Sequence, residues 1–395
     1  MKIGQIAGIQ KQFYILHSTF YILITHLLTT DAELQQYDAW VRAHPEGNLW
    51  QSLAWKKYQE ALGREVRIYG AMSDERRAMS KDTHSSRLRQ LATDGQAQLT
   101  AHSYLATALV VIDRTVGGLS VWEIPRGPLL SGKWKVESGK CQEFIESIMN
   151  DAQKERCIQV LLSPKLTLST SELPHFPLPN FRTSRRHVHP EASLLIDLTQ
   201  SEEDILRQMH QKGRYNINLA RKHGVEIVQG TVNDIDDFYR LLTSTGSRDN
   251  FIILQKSQYK RFLESLDGSQ LLLAKHEGKV ISGVLNAVWN GTMFYYYGAS
   301  SYGDRHLMAP YLLQWEAMRR AKAEGCHTYD LLGIMPVDAP ENDPWKGITD
   351  FKRKFGGTLV TYPREQVCVL RPVLKKLIEL KRKIGMRGRL AGSAP

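Results

Sequence analysis

The stretch Phe294–Gly357 reads FYYYGASS (294–301), DRHLMAPYLLQWEAMRRAKAEGCHTYDLLGI (304–334) and, past a loop, WKGITDFKRKFGG (345–357). Its first segment, with Tyr295, Tyr296 and Tyr297, has strand character, and the apolar spacing predicts a helix over 309–323. A strand over 329–332 follows, then a loop to a basic turn at Lys352–Lys354. Alternation along the first strand predicts Tyr295 and Tyr297 on one face and Tyr296 on the other. Strand, helix and strand in succession imply an α/β (α+β) fold in which a helix covers a mixed sheet.

Upstream, 258–266 reads as a helix, 270–275 as a strand, Glu277-Gly278-Lys279 as a hairpin turn, and 280–289 and 292–297 as two more strands. The same order occurs nearer the start, with helices over 31–43 and 52–62, the second opening on a Ser cap, and strands over 66–71, 105–113 and 119–124. This first copy is interrupted by 72–104, rich in Arg, Ser, Asp, Gln and Thr and without periodicity, which reads as a mobile insertion. The repetition predicts two related subdomains, 31–185 and 186–370, divided in the Pro-rich stretch 174–190.

Two terminal segments flank them. Residues 1–30 form an apolar extension whose core, Phe13–Leu28, holds His17, Ser18 and His26 and falls short of the roughly 20 residues of a membrane span. A frayed extension, a helix packed on the body and a membrane anchor all remain open for it. Residues 371–395 read as a basic helix and tail, with Leu374, Leu377, Ile378, Leu380 and Ile384 on one side. Packing on the body, an anionic membrane surface and RNA suit it equally.

The chain has 395 residues, 42% of them hydrophobic, which excludes wholesale disorder and suffices for two or three cores. Its 52 Lys and Arg against 41 Asp and Glu, a net charge of +11, favour an anionic partner. Cys141, Cys157, Cys326 and Cys368 are scattered, without C-x-x-C pairs or nearby His at metal spacing, so neither a disulfide framework nor a zinc site is expected. No G-x-S-x-G, P-loop, G-x-G-x-x-G or H-E-x-x-H occurs, so a nucleophilic or metal mechanism has little support. Between the halves, 202–222 reads as one helical segment carrying Arg207, Lys212, Arg214, Arg221 and Lys222, either a solvated face or a set of phosphate contacts.

The order of elements resembles the acyl-CoA N-acetyltransferase (GNAT) fold. That fold binds pyrophosphate on backbone N–H groups at a helix start through Arg/Gln-x-x-Gly-x-Gly/Ala. The matching stretch here is Arg305-His306-Leu307-Met308-Ala309-Pro310, where Met308 stands at the central glycine and Pro310 lacks an N–H. The combination of Gln51-Ser52-x-x-Trp55, Pro125-Arg126-Gly127-Pro128, the 214–224 helix, Tyr297-Gly298-Ala299-Ser300, Ala309-Pro310-Tyr311-Leu312-Leu313-Gln314-Trp315, Tyr329-Asp330-Leu331-x-Gly333 and Phe351-Lys352-x-Lys354-Phe355-Gly356 resembles the FemABX aminoacyltransferases.

The resemblance implies two GNAT-type subdomains with mixed sheets and, here, no long coiled-coil insertion. It implies a transferase that moves an amino acid from aminoacyl-tRNA to a stem-peptide amine of a peptidoglycan precursor, either UDP-MurNAc-pentapeptide or its lipid-linked form. It implies no metal or organic cofactor, and a cytoplasmic protein at the inner face of the plasma membrane. On the matching residues it implies catalytic roles for Lys352, beside the tetrahedral intermediate, and Phe351, beside the acceptor end of the tRNA. Substrate contacts fall to Lys57 (Lys56 competing), Arg214 (Arg221 competing), Tyr297 and Asp330. An acyl-CoA-dependent N-acyltransferase of the same fold is the competing enzyme reading. A non-catalytic RNA- or membrane-surface-binding protein is the third.

Overall fold

Runs of β-branched and aromatic residues build two sheets, and the helices shield their faces. The computed structural model of the chain describes residues 10–13, 22–73, 104–114, 117–131, 138–165, 180–184, 188–249 and 253–380. The first sheet has nine strands: β1 (Gln10–Phe13), β2 (Ile22–Leu27), β3 (Glu65–Ser73), β4 (Tyr104–Arg114), β5 (Ser120–Pro125), β6 (Leu129–Leu130), β7 (Cys157–Ser163), β8 (Arg182–Thr183) and β16 (Gln366–Val369). Their order is β1-β2-β3-β4-β5-β7-β16-β8, with β6 on β4.

The second sheet has seven: β9 (Ala192–Asp197), β10 (Glu226–Gly230), β11 (Ser269–His276), β12 (Lys279–Trp289), β13 (Thr292–Ser300), β14 (Thr328–Asp330) and β15 (Thr358–Thr361). They run β10-β11-β12-β13-β14-β9-β15. The helices are α1 (Asp31–Ala43), α2 (Leu53–Ala61), α3 (Ser138–Lys154), α4 (Glu202–Gln208), α5 (Gln211–Lys222), α6 (Ile235–Asp249), α7 (Lys256–Ser265), α8 (Ala309–Ala323) and α9 (Lys346–Lys352).

Each sheet contains the same unit, an antiparallel meander followed by a helical crossover to a parallel strand. It is β3-β4-β5, α3 and β7 in the first sheet and β11-β12-β13, α8 and β14 in the second. A parallel partner requires such a crossover, so the helix predicted over 309–323 decides the topology of its half. The two units interleave, because β16 follows the second unit in the chain yet pairs with β7 and β8 of the first sheet. Among the described residues no helix is long and apolar enough to cross a membrane, and none forms a coiled-coil hairpin.

Three expectations need correction. Within Phe13–Leu28, neither helix nor anchor forms at Ile22–Leu27, which is a strand in register with Tyr69–Ser73 of β3. A strand buries alternate side chains, so its His26 sits beside Glu33 without entering an apolar core. The segment 202–222 is two helices, because Met209 turns into the core at 2% exposure and His210 caps α5, its Nδ1 accepting the Lys212 N–H at 3.1 Å.

The tyrosines of β13 do not alternate. A bulge lets Leu285 face Tyr297 while Asn286 faces Tyr295, so Tyr296 is the extra residue. Tyr296 and Tyr297 therefore pack on one side with Phe294, and Tyr295 on the other. Met72 and Ser73 end β3 and Tyr104 opens β4, while the rest of the proposed insertion lies outside the described residues.

An aromatic seam joins the halves. Trp50 meets Phe294 at 5.3 Å, Trp55 meets Tyr296 at 6.0 Å, and Tyr58 meets Phe262 at 5.4 Å between ring centres. Just before α2, fully buried Gln51 bridges two strands of the first sheet where their ladder opens. Its Oε1 accepts the Leu109 N–H at 2.8 Å and its Nε2 donates to the Pro125 carbonyl at 2.7 Å. Gln51→Leu keeps the volume but leaves both backbone groups unpaired, at roughly 1–3 kcal/mol each. Urea unfolding is expected to show a loss of about 3 kcal/mol with an unchanged m-value.

Candidate functional site

The site forms where β14 ends. Asp330, the last residue of that strand, is buried and accepts the Ser193 hydroxyl as well as the Leu332 N–H, the latter at 2.8 Å. That turn holds Leu332 at φ 51°, a left-handed conformation uncommon for Leu, and aims the carbonyls of Leu332 and Gly333 together. Gly333 admits no side chain, since a Cβ there would lie 2.3 Å from the Trp345 ring. From Trp345, α9 turns back over this loop, fastened by the Met335 N–H donating to Thr349 Oγ1 at 2.8 Å.

Lys352 in the last turn of α9 points at those carbonyls. It is 6% exposed, and its Nζ donates to Leu332 O at 3.1 Å and Gly333 O at 2.7 Å, 5.2 Å from the centre of the Tyr295 ring. An ammonium has three donors, so one is left beyond these two bonds. Burial lowers the Lys352 ammonium to about 7, with the Asp330 carboxylate opposing part of that shift. Burial likewise raises the Asp330 carboxyl, while Ser193, the Leu332 N–H, Arg126 and Lys165 pull it back.

Lys352 lines a cleft of about 2340 Å³ between the two halves. Trp50, Trp55, Tyr58 and Arg64 form its wall on the first half, Tyr295, Tyr296, Tyr297 and Phe351 on the second, and Lys375 and Lys376 also border it. Phe351 leans on Tyr311 and Phe355 at 5.1 and 5.2 Å between ring centres and also borders the cleft. Tyr297 stacks against Tyr259, Phe262 and Tyr296.

The structure thus brings Lys352, Phe351 and Tyr297 together on the cleft and puts Asp330 behind the Leu332 turn, lining a smaller cavity. Lys57 is elsewhere, exposed and paired with Asp267 at 2.7 Å, and neither it nor Lys56, paired with Glu60, lines the cleft. Arg214 spends its guanidinium on the carbonyls of Met209, Arg207 and Leu206, closing the end of α4. Arg221 pairs with Glu316 at 3.2 Å. Arg64 and Arg182, cations that do line the cleft, were not singled out by sequence, because nothing local marks a cation as facing a cleft formed by distant segments.

At the start of α8, where the sequence matches the acetyltransferase phosphate-loop position, Met308 takes a left-handed φ of 55°. Three of the amides here are occupied. Leu307 N–H donates to Asp304 O, Met308 N–H to Arg305 O and Tyr311 N–H to Met308 O at 3.0–3.2 Å, and Pro310 has none to give. Part of the donor set that would cradle a pyrophosphate is thus spent within the chain.

The Lys352 amine titrates near 7 in the folded protein against 10.5 when free. Between those values the unfolded chain holds more protons, so stability rises with pH across this window, by up to roughly 5 kcal/mol. Lys352→Met removes this dependence. Its melting temperature relative to wild type is expected to be most favourable at pH 6 and to fall steadily toward pH 10 in parallel thermal melts.

Against known proteins, the model of the FemAB family matches residues 32–188, 180–275 and 266–383. The lipid II:glycine glycyltransferase of Staphylococcus haemolyticus is 22% identical, covering 87% of this chain and 93% of that one. Its counterpart from Staphylococcus aureus USA300 is 20% identical over the same shares. A crystal structure of FemX superposes with TM-score 0.68 at 18% identity, covering 90% of this chain and 99% of that one. A tandem GNAT protein from the clavulanic acid biosynthesis pathway does so with TM-score 0.53 at 10% identity, covering 88% and 98%. These two structures share the fold, two acetyltransferase-like units in tandem. With a family model spanning both units, this chain belongs to the FemAB family.

Proposed function

We propose that the protein transfers an amino acid from aminoacyl-tRNA to the stem-peptide amine of a peptidoglycan precursor, as a step in interpeptide bridge synthesis. The observation that carries this reading is Lys352, a buried amine bonded to two carbonyls with one donor left at a cleft between two acetyltransferase-like units. Aminolysis of an ester needs placement and oxyanion stabilisation, with no protein nucleophile. The acceptor nitrogen adds to the ester carbonyl, and the oxyanion accepts a hydrogen bond from the Lys352 ammonium. The intermediate then collapses with C–O cleavage, and the amine's proton ends on the departing ribose hydroxyl. Phe351 and Tyr297 offer aromatic contacts to the acceptor end of the tRNA and to the precursor, and Asp330 keeps the Leu332 turn aimed at Lys352. The lipid II:glycine glycyltransferase names of the relatives support a lipid-linked acceptor, with the soluble UDP-MurNAc-pentapeptide as the other form.

Phosphates of either acceptor suit Arg64, Arg182, Lys375 and Lys376 at the cleft. Lys57 and Arg214, engaged elsewhere in this conformation, take part only if Asp267 and the α4 carbonyls release them. Helical backbone at 372–380 exposes Val373, Leu377 and Leu380 at 70%, 56% and 55%, one side of a helix whose Lys375 and Lys376 border the cleft. Such a face fits peripheral contact with the inner membrane surface from the cytoplasmic side. Leu377→Glu is expected to weaken co-sedimentation with anionic vesicles at least severalfold while leaving transfer to the soluble acceptor unchanged.

Label transfer from a pool of radiolabelled aminoacyl-tRNAs to both acceptors tests the reaction. Lys352→Ala is expected to lose on the order of 10²–10³ in rate. The wild-type rate is expected to fall above the Lys352 pKa of about 7, a limb that Lys352→Met lacks. Absence of transfer by folded wild type, together with thermal stabilisation by coenzyme A, would replace this reading with the acyl-CoA one.

A further inference from the structure

Behind the Leu332 turn lies a second cavity of about 320 Å³, bounded by Trp50, Arg126, Lys165, Asp330, Leu332 and Tyr362. Trp50, Pro190 and Leu332 also line the main cleft, so the two spaces share a wall, and that wall carries a carbonyl bonded to Lys352. Arg126 is the central feature. It is 97% buried by the 3% exposure of its surface, sits at φ 51°, and lies flat over Tyr362 at 4.1 Å with Trp50 at 5.8 Å. Of its five N–H donors, one is used among the described residues, Nη2 donating to the Pro190 carbonyl at 2.6 Å.

The rest of the lining is nearly committed. Lys165 donates to the Gly47 carbonyl at 3.2 Å, Asp330 is held by Ser193 and the Leu332 N–H, and Glu46 is buried and partnered. Counting Lys352 through the shared wall, three cations stand against two carboxylates, Asp330 and Glu46. A buried guanidinium with an unused fork fits a planar carboxylate, which it can bind with two parallel hydrogen bonds. The volume is at the small end of ligand pockets, with room for a peptide terminus.

We propose that this cavity takes the C-terminal carboxylate of a peptide acceptor on the Arg126 fork, so that the acceptor is gripped by its end while its amine lies in the cleft beyond Leu332. The inference rests on the peptide-acceptor reading above. It adds the specificity that reading lacks, namely that a free carboxylate at the peptide end is part of what is recognised.

The test compares the acceptor with its C-terminal amide, by calorimetric binding and by transfer, in wild type, Arg126→Gln and Lys165→Met. Wild type is expected to bind the acid at least tenfold more tightly than the amide. Arg126→Gln should bind the two alike, and Lys165→Met should narrow the gap. Because Arg126 is buried, each variant is first matched to wild type by circular dichroism, and the acid-against-amide ratio in wild type stands without any variant. Equal affinity for acid and amide in wild type, retention of the full ratio in folded Arg126→Gln, or no binding of either form at millimolar concentration would overturn the assignment. Discrimination in binding without any transfer would keep the cavity and sink the aminoacyl-transfer reading, whereas transfer indifferent to amidation would do the reverse.

Discussion

The arrangement around Lys352 depends on one constraint, an amine kept almost wholly out of contact with solvent. Removing a cation from water is unfavourable by several kcal/mol unless partners replace its hydration. Here two carbonyls replace part of it, and they are in place because Asp330 forces Leu332 into a left-handed turn and Gly333 leaves room for Trp345. The compensation is incomplete, which is why the amine sits near 7. A group poised there, with one donor unspent, is suited to meeting a transient negative charge.

The fold makes such a place by letting strands part. In the second sheet β13 and β14 pair only over Thr292–Phe294 against Thr328–Asp330, and beyond that point they diverge. The bulge at Tyr296 lies in the diverging part, turning Tyr297 onto the side already held by Phe294 and Tyr296 and leaving Tyr295 to face Lys352. In the first sheet the counterpart strands β5 and β7 stay paired from Ser120 to Pro125, and the Gln51 amide bridges β4 and β5 beside them. Two similar units have thereby diverged, one with its parallel strands paired throughout and the other with them splayed. The return of β16 to the first sheet and the Trp50, Trp55 and Tyr58 seam hold them together.

Much of this was legible in the chain where the signal is local. The helix over 309–323 coincides with Ala309–Ala323, since Pro310 marks its first turn and Gly325 follows its end. The hairpin at Glu277-Gly278 likewise follows from turn chemistry alone. Lys352 and Phe351 were picked out through a resemblance spread over seven motifs, and the structure sets both on the cleft. What sequence missed depends on distant partners. The β13 bulge arises from register with β12, and the strand at Ile22–Leu27 exists because β3 offers an edge. Lys57 looked free to bind phosphate until Asp267, distant in sequence, closed on it. Arg126 sat in a quoted motif, yet its burial under Tyr362 could not be seen before the halves were assembled.

The central claim is that Lys352 is a buried amine held near neutrality by its surroundings. The most direct test is an NMR titration of lysine side chains labelled at Nζ with ¹⁵N, in wild type and Lys352→Met. One resonance is expected to titrate near pH 7, below that of buried Lys165 at about 8 and well below the other lysines, and to be missing from the variant. Titration of every lysine near 10.5 would contradict the account, because Lys352 would then be a solvated surface cation.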